Sequence, residues 1–286
     1  MKIRVLVTGS NGQLGKTIKD FSNDFTNTID FVFLEKSKLD ITNSKVVEHL
    51  FKEHNFDYCI NCAAFTNVDL AETETQKALD VNAHAVKNLA VNCKQYNTTL
   101  IHVSTDYVFD GSKESPYLES DITNPINTYG ESKLLGETYI REHLSNYFII
   151  RTSWLYSKFN NNFVKTIFNK LKANEKLTII TSQKGTPSSC RDLSEFIFFI
   201  ISKKNTSYGT YHFSATGETT WYGLALHISK YLNKSSNVKP IQNYPTKAQR
   251  PLYSVLNNKK VEQLYNKPLK KWKDSVDDVL EHLTKE

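Results

Sequence analysis

Short apolar runs alternate with amphipathic stretches through the first half of the chain. The apolar runs are rich in β-branched residues. They lie at 3–7, 31–34, 57–61, 99–104 and 148–152. Such runs are typical of strands buried in a parallel sheet, and the spacing between them predicts helices over 13–21, 44–54 and 74–96. This rhythm predicts an α/β protein with a doubly wound parallel sheet and helices on both faces.

The first apolar run leads into a glycine-rich turn. Gly9, Gly12 and Gly15 follow the spacing G-x-x-G-x-x-G, and Gln13 and Leu14 open the next helix. A strand, a glycine turn and a helix N-terminus place bare backbone N–H groups where a pyrophosphate can bind. The turn therefore indicates a Rossmann-type, dinucleotide-binding fold, although glycine-rich turns of this kind also occur without a ligand.

An acidic residue, Glu35, ends the second apolar run. In dinucleotide-binding folds a residue at this place holds the adenosine ribose hydroxyls and favours NAD. The adjacent Lys36 would instead contact the 2′-phosphate of NADP, so the sequence leaves NADH and NADPH both open. Asp40 and Ile41 are expected on the adenine side of the cofactor, and Asp40 fits the role of a helix cap equally well.

Two further segments follow the ends of predicted strands. One contains Ala63, Ala64 and Thr66, and the other contains Thr105 and Asp106. Because ligands bind beyond the carboxyl ends of the strands in such sheets, we expect these segments and the glycine turn to face one crevice. The small alanines would let a cofactor lie close to the backbone, or they serve tight packing alone.

Tyr129 and Lys133 carry the candidate chemistry. They lie four residues apart on a predicted helix, so their side chains share one face. A nearby ammonium favours phenolate, and we therefore expect Lys133 to lower the pKa of Tyr129 below about 10. A phenol placed in this way can give a proton to a carbonyl oxygen while a hydride reaches the carbon.

The second half of the chain has a less regular pattern of predicted elements. Beyond Trp154 the predicted elements are shorter and more mixed, and a proline-punctuated loop runs over 240–251. We expect a dinucleotide-binding Rossmann domain over 1–153. A smaller mixed α/β domain over 154–286 is expected mainly to bind substrate, with some of its segments returning to the first domain.

Composition and charge exclude several classes of protein. The chain is 39% hydrophobic and 23% charged, as in ordinary globular proteins. Neither a signal peptide nor a membrane-length apolar run is found, so we expect a cytoplasmic protein that does not bind membranes. Residues 1–150 carry a net charge of −6 and residues 151–286 a net charge of +12. The basic half favours a phosphate-bearing partner or is a lysine-rich surface, and no nucleic-acid motif accompanies it.

The four cysteines are too few and too scattered for a disulfide framework. Cys59 and Cys62 have the C-x-x-C spacing, but a strand would turn their sulfurs apart. No second pair of ligands completes a zinc site, so we interpret all four as core residues.

Motifs along nearly the whole chain carry a family resemblance. They are VLVTGSNGQLG, LDIT, NCAAFTNVDLAE, VSTDYVFDG, NPINTYGESKLLGE, RTSWLY, NNFVKT, GTPSS and RPLYSVL. The chain resembles the extended short-chain dehydrogenase/reductase family, and within it the dTDP-4-dehydrorhamnose reductases. The resemblance implies reduction, by NADPH or NADH, of the C4 keto group of a nucleotide-linked 4-keto-6-deoxy sugar.

The resemblance also implies roles for individual residues. Tyr129 would protonate the C4 oxygen, Lys133 would hold the nicotinamide ribose, and Thr105 would orient the carbonyl. The residues implied at the substrate are Thr66, Val68, Thr105, Asp106, Tyr107, Tyr129, Trp154 and, for the diphosphate, Arg250. Those expected at the cofactor are Gly9, Gly12, Gln13, Leu14, Gly15, Glu35, Asp40, Ile41, Ala63, Ala64, Thr66, Tyr129 and Lys133.

Alternatives within the resemblance stay open. One is another sugar-nucleotide ketoreductase or epimerase, and a second is a non-catalytic dinucleotide-binding subunit similar to the methionine adenosyltransferase β subunit. The chain is expected to be a monomer or a homodimer. Some relatives form dimers bridged by magnesium, but the carboxylate ligands do not map onto this sequence, so we predict no metal.

Overall fold

A computed structural model describes residues 2–285 and shows a central six-stranded parallel sheet. The strands are β1 (Ile3–Thr8), β2 (Ile29–Leu34), β3 (Tyr58–Asn61), β4 (Thr99–Thr105), β5 (Tyr147–Thr152), β6 (Leu155–Tyr156), β7 (Leu177–Ile180), β8 (Lys184–Gly185), β9 (Ser188–Ser189), β10 (Gly209–His212), β11 (Thr219–Thr220) and β12 (Val238–Ile241). The helices are α1 (Gln13–Ser22), α2 (Ser44–Glu53), α3 (Val68–Ala71), α4 (Thr75–Leu79), α5 (Ala85–Gln95), α6 (Thr128–His143), α7 (Phe163–Lys172), α8 (Cys190–Ser202), α9 (Trp221–Tyr231), α10 (Lys259–Tyr265) and α11 (Trp272–Lys285).

The strand order of the central sheet is β10-β5-β4-β3-β1-β2, so the order reverses beside β1. Side chains alternate between the two faces of a strand. On β1, Val5 and Val7 therefore pack into one buried core and Leu6 into the other. Helices cover both cores, and this confirms the predicted α/β class.

The first-half strands and helices lie close to their predicted positions, with one difference. The helix predicted over 74–96 is divided by a π-helical turn over Asp80–His84, between α4 and α5. The side chain of Asn82 leaves this turn, accepts a hydrogen bond from the Phe65 N–H at 2.8 Å and donates to the Phe65 carbonyl at 3.0 Å. The widened turn thus holds the segment that follows β3.

The second half contributes to the central sheet as well as to smaller sheets. β10 pairs with β5 in parallel, and α8 packs against the same core as β1. The remaining strands form three two-stranded sheets, and a separate hydrophobic core joins α7, α9 and α11. A division of the chain at residue 153 stays a prediction.

The four cysteines are free, and three of them are buried. Cys59 packs into one core of the sheet, whereas Cys62 lies against the other. Their sulfurs therefore face different surroundings, as the strand geometry predicts.

Within residues 2–285, no helix has both the length and the apolar character needed to cross a membrane.

Candidate active site

A crevice lies beyond the carboxyl ends of β1, β3 and β4. It consists of two adjoining cavities, of about 270 Å³ and about 570 Å³. The smaller one, named here the turn cavity, is lined by Gly9, Gly12, Lys36, Asp40, Ile41, Ala63 and Ala64, among others. The larger one, named the tyrosine cavity, is lined by Gly12, Gln13, Leu14, Ala64, Thr66, Val68, Thr105, Asp106, Tyr107, Tyr129, Lys133 and Trp154, among others. The crevice thus gathers most of the residues singled out from the sequence.

The glycine turn is shaped by close backbone contacts. Gly9 has φ +62°, and a Cβ atom there would lie 2.6 Å from the Ala63 nitrogen, so only glycine fits. Gly12 caps α1 without any side-chain hydrogen bond to the helix, which leaves the first N–H groups of α1 open to the crevice. A Cβ on Gly15 would lie 2.6 Å from the Ser10 Cα. Gly15 therefore lets the first turn of α1 pack closely against the glycine turn, and it is not among the residues that line the two cavities.

Glu35 and Lys36 are adjacent in the sequence but lie in different surroundings near the turn cavity. Lys36 lines the cavity, and its Nζ lies 4.0 Å from the Asp40 carboxylate. Glu35 is not among the lining residues, and its carboxylate accepts a hydrogen bond from the Ser37 hydroxyl at 2.7 Å. Of the two residues left open by the sequence, Lys36 is therefore the better placed to meet a bound ligand.

The phenol of Tyr129 lies in the tyrosine cavity beside Thr105. Burial raises the pKa of Tyr129 to about 12, and hydrogen bonding to Thr105 offsets this only in part. Lys133 is not among the groups that shift it, so the expectation that Lys133 lowers the pKa of Tyr129 is wrong for this structure. The phenol is protonated at neutral pH, which is the form required of a proton donor.

Thr105 and Asp106 form the wall of the cavity at the end of β4. The Thr105 hydroxyl donates to the Asp106 carboxylate at 3.1 Å and accepts from the Tyr107 N–H at 3.1 Å. Asp106 is buried, and burial raises its pKa to about 7. Its second carboxylate oxygen and the hydroxyl of Thr152 are buried without a hydrogen-bond partner. Both residues line the tyrosine cavity.

Lys133 is almost fully buried beneath the cavity. Its Nζ donates to the Val103 carbonyl at 2.7 Å and lies 3.2 Å from Nε2 of His102. Burial lowers the pKa of Lys133 to about 8, while Glu137 and Cys62 act in the opposite direction.

An indole pair forms the opposite wall. Trp154 adopts φ +46°, a left-handed conformation that is uncommon for a bulky residue and accompanies functional sites. Its ring stacks on Trp221 with centroids 3.6 Å apart, and a Cβ on Gly185 would lie 2.7 Å from the same ring. Trp154 is therefore held between Gly185 and Trp221, next to the cavity.

Arg250 does not line either cavity, but it hydrogen-bonds to Tyr107, which lines the tyrosine cavity. Its guanidinium forms two hydrogen bonds with the Asp69 carboxylate, at 2.7 and 3.2 Å, just after the start of α3. The fork of donors that would suit a diphosphate is thus already occupied by a carboxylate. Phosphate binding by Arg250 stays a prediction, and it requires Asp69 to release the guanidinium.

Comparisons with known proteins agree with this geometry. A family model described as the RmlD substrate binding domain matches residues 1–285. The chain belongs to this RmlD family.

RmlD-family relatives cover nearly all of the chain. A dTDP-4-dehydrorhamnose reductase of Aggregatibacter actinomycetemcomitans is 34% identical, over 96% of this chain and 98% of that protein. The crystal structure of dTDP-4-dehydrorhamnose reductase from Bacillus anthracis in complex with NADP is 37% identical, with a TM-score of 0.94, and covers 99% of this chain and 100% of that one. A Streptomyces niveus relative named dTDP-4-keto-6-deoxy-D-glucose reductase is 32% identical, over 95% of this chain and 94% of that protein. These matches confirm the resemblance found in the sequence.

Several crevice residues of this RmlD-family chain are absent from the sequence-based set. Trp221, Asn160 and Asn161 line the tyrosine cavity, and Lys77 lines the turn cavity. Asn161 begins the NNFVKT motif, to which no site role was assigned, whereas Asn160, Lys77 and Trp221 lie outside the motifs quoted above. In the part of the chain that is described, no group of three or more His, Cys, Asp or Glu side chains is arranged to hold a metal ion.

Proposed function

We propose that this RmlD-family protein reduces the C4 keto group of a nucleotide-linked 4-keto-6-deoxy sugar, converting dTDP-4-dehydro-L-rhamnose to dTDP-L-rhamnose with NADPH or NADH. One observation carries the proposal. Tyr129, Thr105 and Lys133 line a single cavity that continues into the glycine turn.

The crevice fits a dinucleotide. Gly9 brings the backbone within contact of Ala63, and the open N-terminus of α1 offers N–H groups and a positive dipole end to a pyrophosphate. Residues of the turn cavity would hold the adenosine half, and Tyr129 and Lys133 the nicotinamide ribose. When bound, the reduced cofactor supplies the hydride.

The residues of the chain supply the proton and the orientation. Tyr129 donates its proton to the C4 oxygen as the carbonyl is reduced, so one hydride and one proton together convert the ketone into an alcohol. Thr105 redirects its hydroxyl hydrogen bond from the Asp106 carboxylate to the same oxygen and aligns that oxygen with the phenol. General acid catalysis of this kind typically contributes about 10²–10⁴-fold.

The sugar of the substrate is assigned to the tyrosine cavity. Thr66 and Val68 would contact the sugar from the segment after β3, and Trp154 from the opposite wall, while Asp106 and Tyr107 would bind its hydroxyls. Of these residues Trp154 alone belongs to 154–286, so a mainly substrate-binding role for 154–286, beside a mainly cofactor-binding role for 1–153, stays a prediction. The net charge of +12 over 151–286 suits the diphosphate of such a substrate.

A spectrophotometric assay tests the proposal. The purified chain is mixed with NADPH or NADH and a panel of dTDP- and UDP-linked 4-keto-6-deoxy sugars, and loss of absorbance from the reduced nicotinamide is followed. We expect turnover with dTDP-4-dehydro-L-rhamnose and a C4 alcohol as product. Faster turnover of dTDP-4-keto-6-deoxy-D-glucose would reassign the sugar. Cofactor binding with no oxidation by any keto sugar would favour the non-catalytic subunit.

A further inference from the structure

A row of buried polar side chains crosses three strands beneath the crevice and ends at Lys133. Thr8 on β1, Asn61 on β3 and His102 on β4 are direct neighbours in the sheet register. All three are at most 1% exposed, and Lys133 reaches the end of the row from α6. The row connects the strand that precedes the glycine turn with the amine of Lys133.

The direction of the hydrogen bonds along the row is fixed at the Asn61 end. The Asn61 carbonyl oxygen accepts from the Ala63 backbone N–H at 3.2 Å and from the Thr8 hydroxyl at 2.6 Å. A backbone N–H can only donate, so the amide oxygen faces Ala63 and the amide nitrogen faces His102. That nitrogen lies 3.0 Å from Nδ1 of His102, and Nδ1 must therefore accept.

A neutral imidazole carries one proton, so Nε2 of His102 must then be the N–H donor. Burial lowers the pKa of His102 well below its usual value and keeps the ring neutral. Nε2 faces the Lys133 Nζ at 3.2 Å. An ammonium has no lone pair to accept this proton, whereas a neutral amine has one and still donates to the Val103 carbonyl.

The second buried histidine shows the ordinary arrangement. Nδ1 of His212 faces the Tyr117 carbonyl at 3.0 Å, and Nε2 faces an Arg151 guanidinium nitrogen at 3.5 Å. One partner only accepts and the other only donates, so a single tautomer satisfies both. When Lys133 is charged, His102 instead lies between two donors, the Asn61 amide nitrogen and the Lys133 ammonium. The Asn61 amide cannot flip, because its NH2 group would then face the Ala63 N–H, which is also a donor.

We propose that Asn61 and His102 are positioning residues that control the charge of Lys133, by presenting an N–H donor to its Nζ and so favouring the neutral amine. Other charged groups bear on the same Nζ. Glu137, one turn further along α6, and Cys62, after β3, both favour the ammonium. Arg151 and Arg141 pair with Glu137 and limit its effect. Lys133 is thereby able to gain and lose a proton near neutral pH.

This control matters for the reaction if the proposed function holds. Lys133 is proposed to hold the nicotinamide ribose. An ammonium has three N–H donors for this task and for the Val103 carbonyl, whereas a neutral amine has two. Activity should therefore fall as rising pH removes the Lys133 proton, and the row sets the pH of that fall.

The first test uses the unaltered protein with ¹⁵N-labelled histidine, and needs no substrate. We expect His102 to carry its proton on Nε2 at alkaline pH, and to lose that preference as acidification charges Lys133. His212 is the internal control, with its proton on Nδ1 throughout. A proton on Nδ1 of His102 at every pH would overturn the proposal.

The second test reverses the donor at Asn61. In Asn61→Asp a carboxylate accepts from Nδ1–H, so Nε2 offers its lone pair to Lys133 and the ammonium is favoured. The Cε signal of ¹³C-labelled Lys133 should then titrate about one unit or more higher than in wild type. The alkaline limb of kcat/KM should move by the same amount. His212→Gln is the matched control and should move neither.

The two proposals fail separately. If Lys133 titrates at the same pH as in wild type in a folded, active Asn61→Asp protein, the proposed role of the row is refuted and the proposed reductase activity is not affected. If the Lys133 titration shifts as expected in a protein that reduces no keto sugar, only the proposed reductase activity is refuted. If Asn61→Asp does not fold, the ¹⁵N measurement on the wild type decides the matter.

Discussion

The indole rings of Trp154 and Trp221 lie nearly parallel, 9° apart in plane, with their centroids separated by 3.6 Å. Trp154 is in a left-handed backbone conformation, and Trp221 opens α9 from the second half of the chain. The stack fixes the orientation of a strained residue at the wall of the tyrosine cavity. It also joins the segment that follows β5 to the start of α9.

Trp221→Ala should weaken substrate binding. An aromatic pair contributes about 0.5–1.5 kcal/mol beyond its buried area, so we expect KM for the keto sugar to rise by about two- to tenfold. The dissociation constant for NADPH should change little, because Trp221 does not line the turn cavity. Steady-state kinetics and cofactor titration measure the two quantities. Trp221→Phe, which keeps a stacked ring, is the control, and an equal loss in both variants would speak against the stack.

Tyr129→Phe should remove most turnover and leave cofactor affinity intact. The substitution deletes the proton donor and keeps the ring, so we expect kcat to fall by about 10²–10⁴-fold. Tyr107, whose ring lies 5.8 Å from that of Tyr129, offers the matched control. In Tyr107→Phe, kcat should fall much less than in Tyr129→Phe. Near-normal turnover in Tyr129→Phe would remove Tyr129 from the proposed role.

Lys36→Ala should weaken the binding of NADPH more than the binding of NADH. Lys36 lines the turn cavity, and only NADPH carries a 2′-phosphate for its ammonium to meet. Because the side chain is exposed, we expect up to about a fivefold increase in the dissociation constant for NADPH. Fluorescence titration of both cofactors measures it, with the exposed Lys38→Ala as control. Equal changes for the two cofactors would show that Lys36 does not distinguish them.

Asp106 should give the protein a pH-dependent loss of stability. Burial raises its pKa in the folded state to about 7, whereas an unfolded aspartate has a pKa of about 3.9. The folded state therefore binds more protons between these values, and the free energy of unfolding falls as pH rises through that window. Asp106→Asn removes this titration, so its excess stability over wild type should grow with pH across the same window.

Urea unfolding at several pH values measures this difference, and a constant offset would contradict it. Asp110 supplies a control of opposite sign, because hydrogen bonds from Ser112 lower its pKa to about 2. Its stabilisation is present above about pH 3.9 and is lost as pH falls towards about 2. Asp110→Asn should therefore lose stability at neutral pH and approach wild type in acid.

Arg151→Met should destabilise the fold strongly. Arg151 Nη2 lies 2.7 Å from the Glu137 carboxylate, and the two side chains are 4% and 0% exposed. Removing one partner leaves a buried carboxylate with too little compensation, at a cost of about 3–5 kcal/mol. Arg141, a half-exposed partner of the same carboxylate, is the control, and Arg141→Met should cost about 0–1 kcal/mol. Similar unfolding free energies for both variants would refute this expectation.

Local sequence pattern was sufficient for five of the six strands of the central sheet and for placing Tyr129 and Lys133 at one cavity. The spacing of Gly9, Gly12 and Gly15, and the four-residue separation of Tyr129 and Lys133, are local relationships that backbone geometry converts directly into shape. The carboxyl ends of parallel strands meet at one edge, so the neighbouring segments at Ala63 and Thr105 could be assigned to the same crevice.

Contacts between distant residues were decided only by tertiary structure. Trp221 stacks on Trp154, and Asp69 binds the guanidinium of Arg250. His102 contacts Asn61 on the neighbouring strand and Lys133 on α6. The pKa of Tyr129 rises because burial outweighs any effect of Lys133, and burial depends on the packing of the whole crevice. Sequence determined which groups are present and which face of each element they occupy. Folding decided their partners and their charge, because desolvation and hydrogen-bond direction arise only when separate elements come into contact.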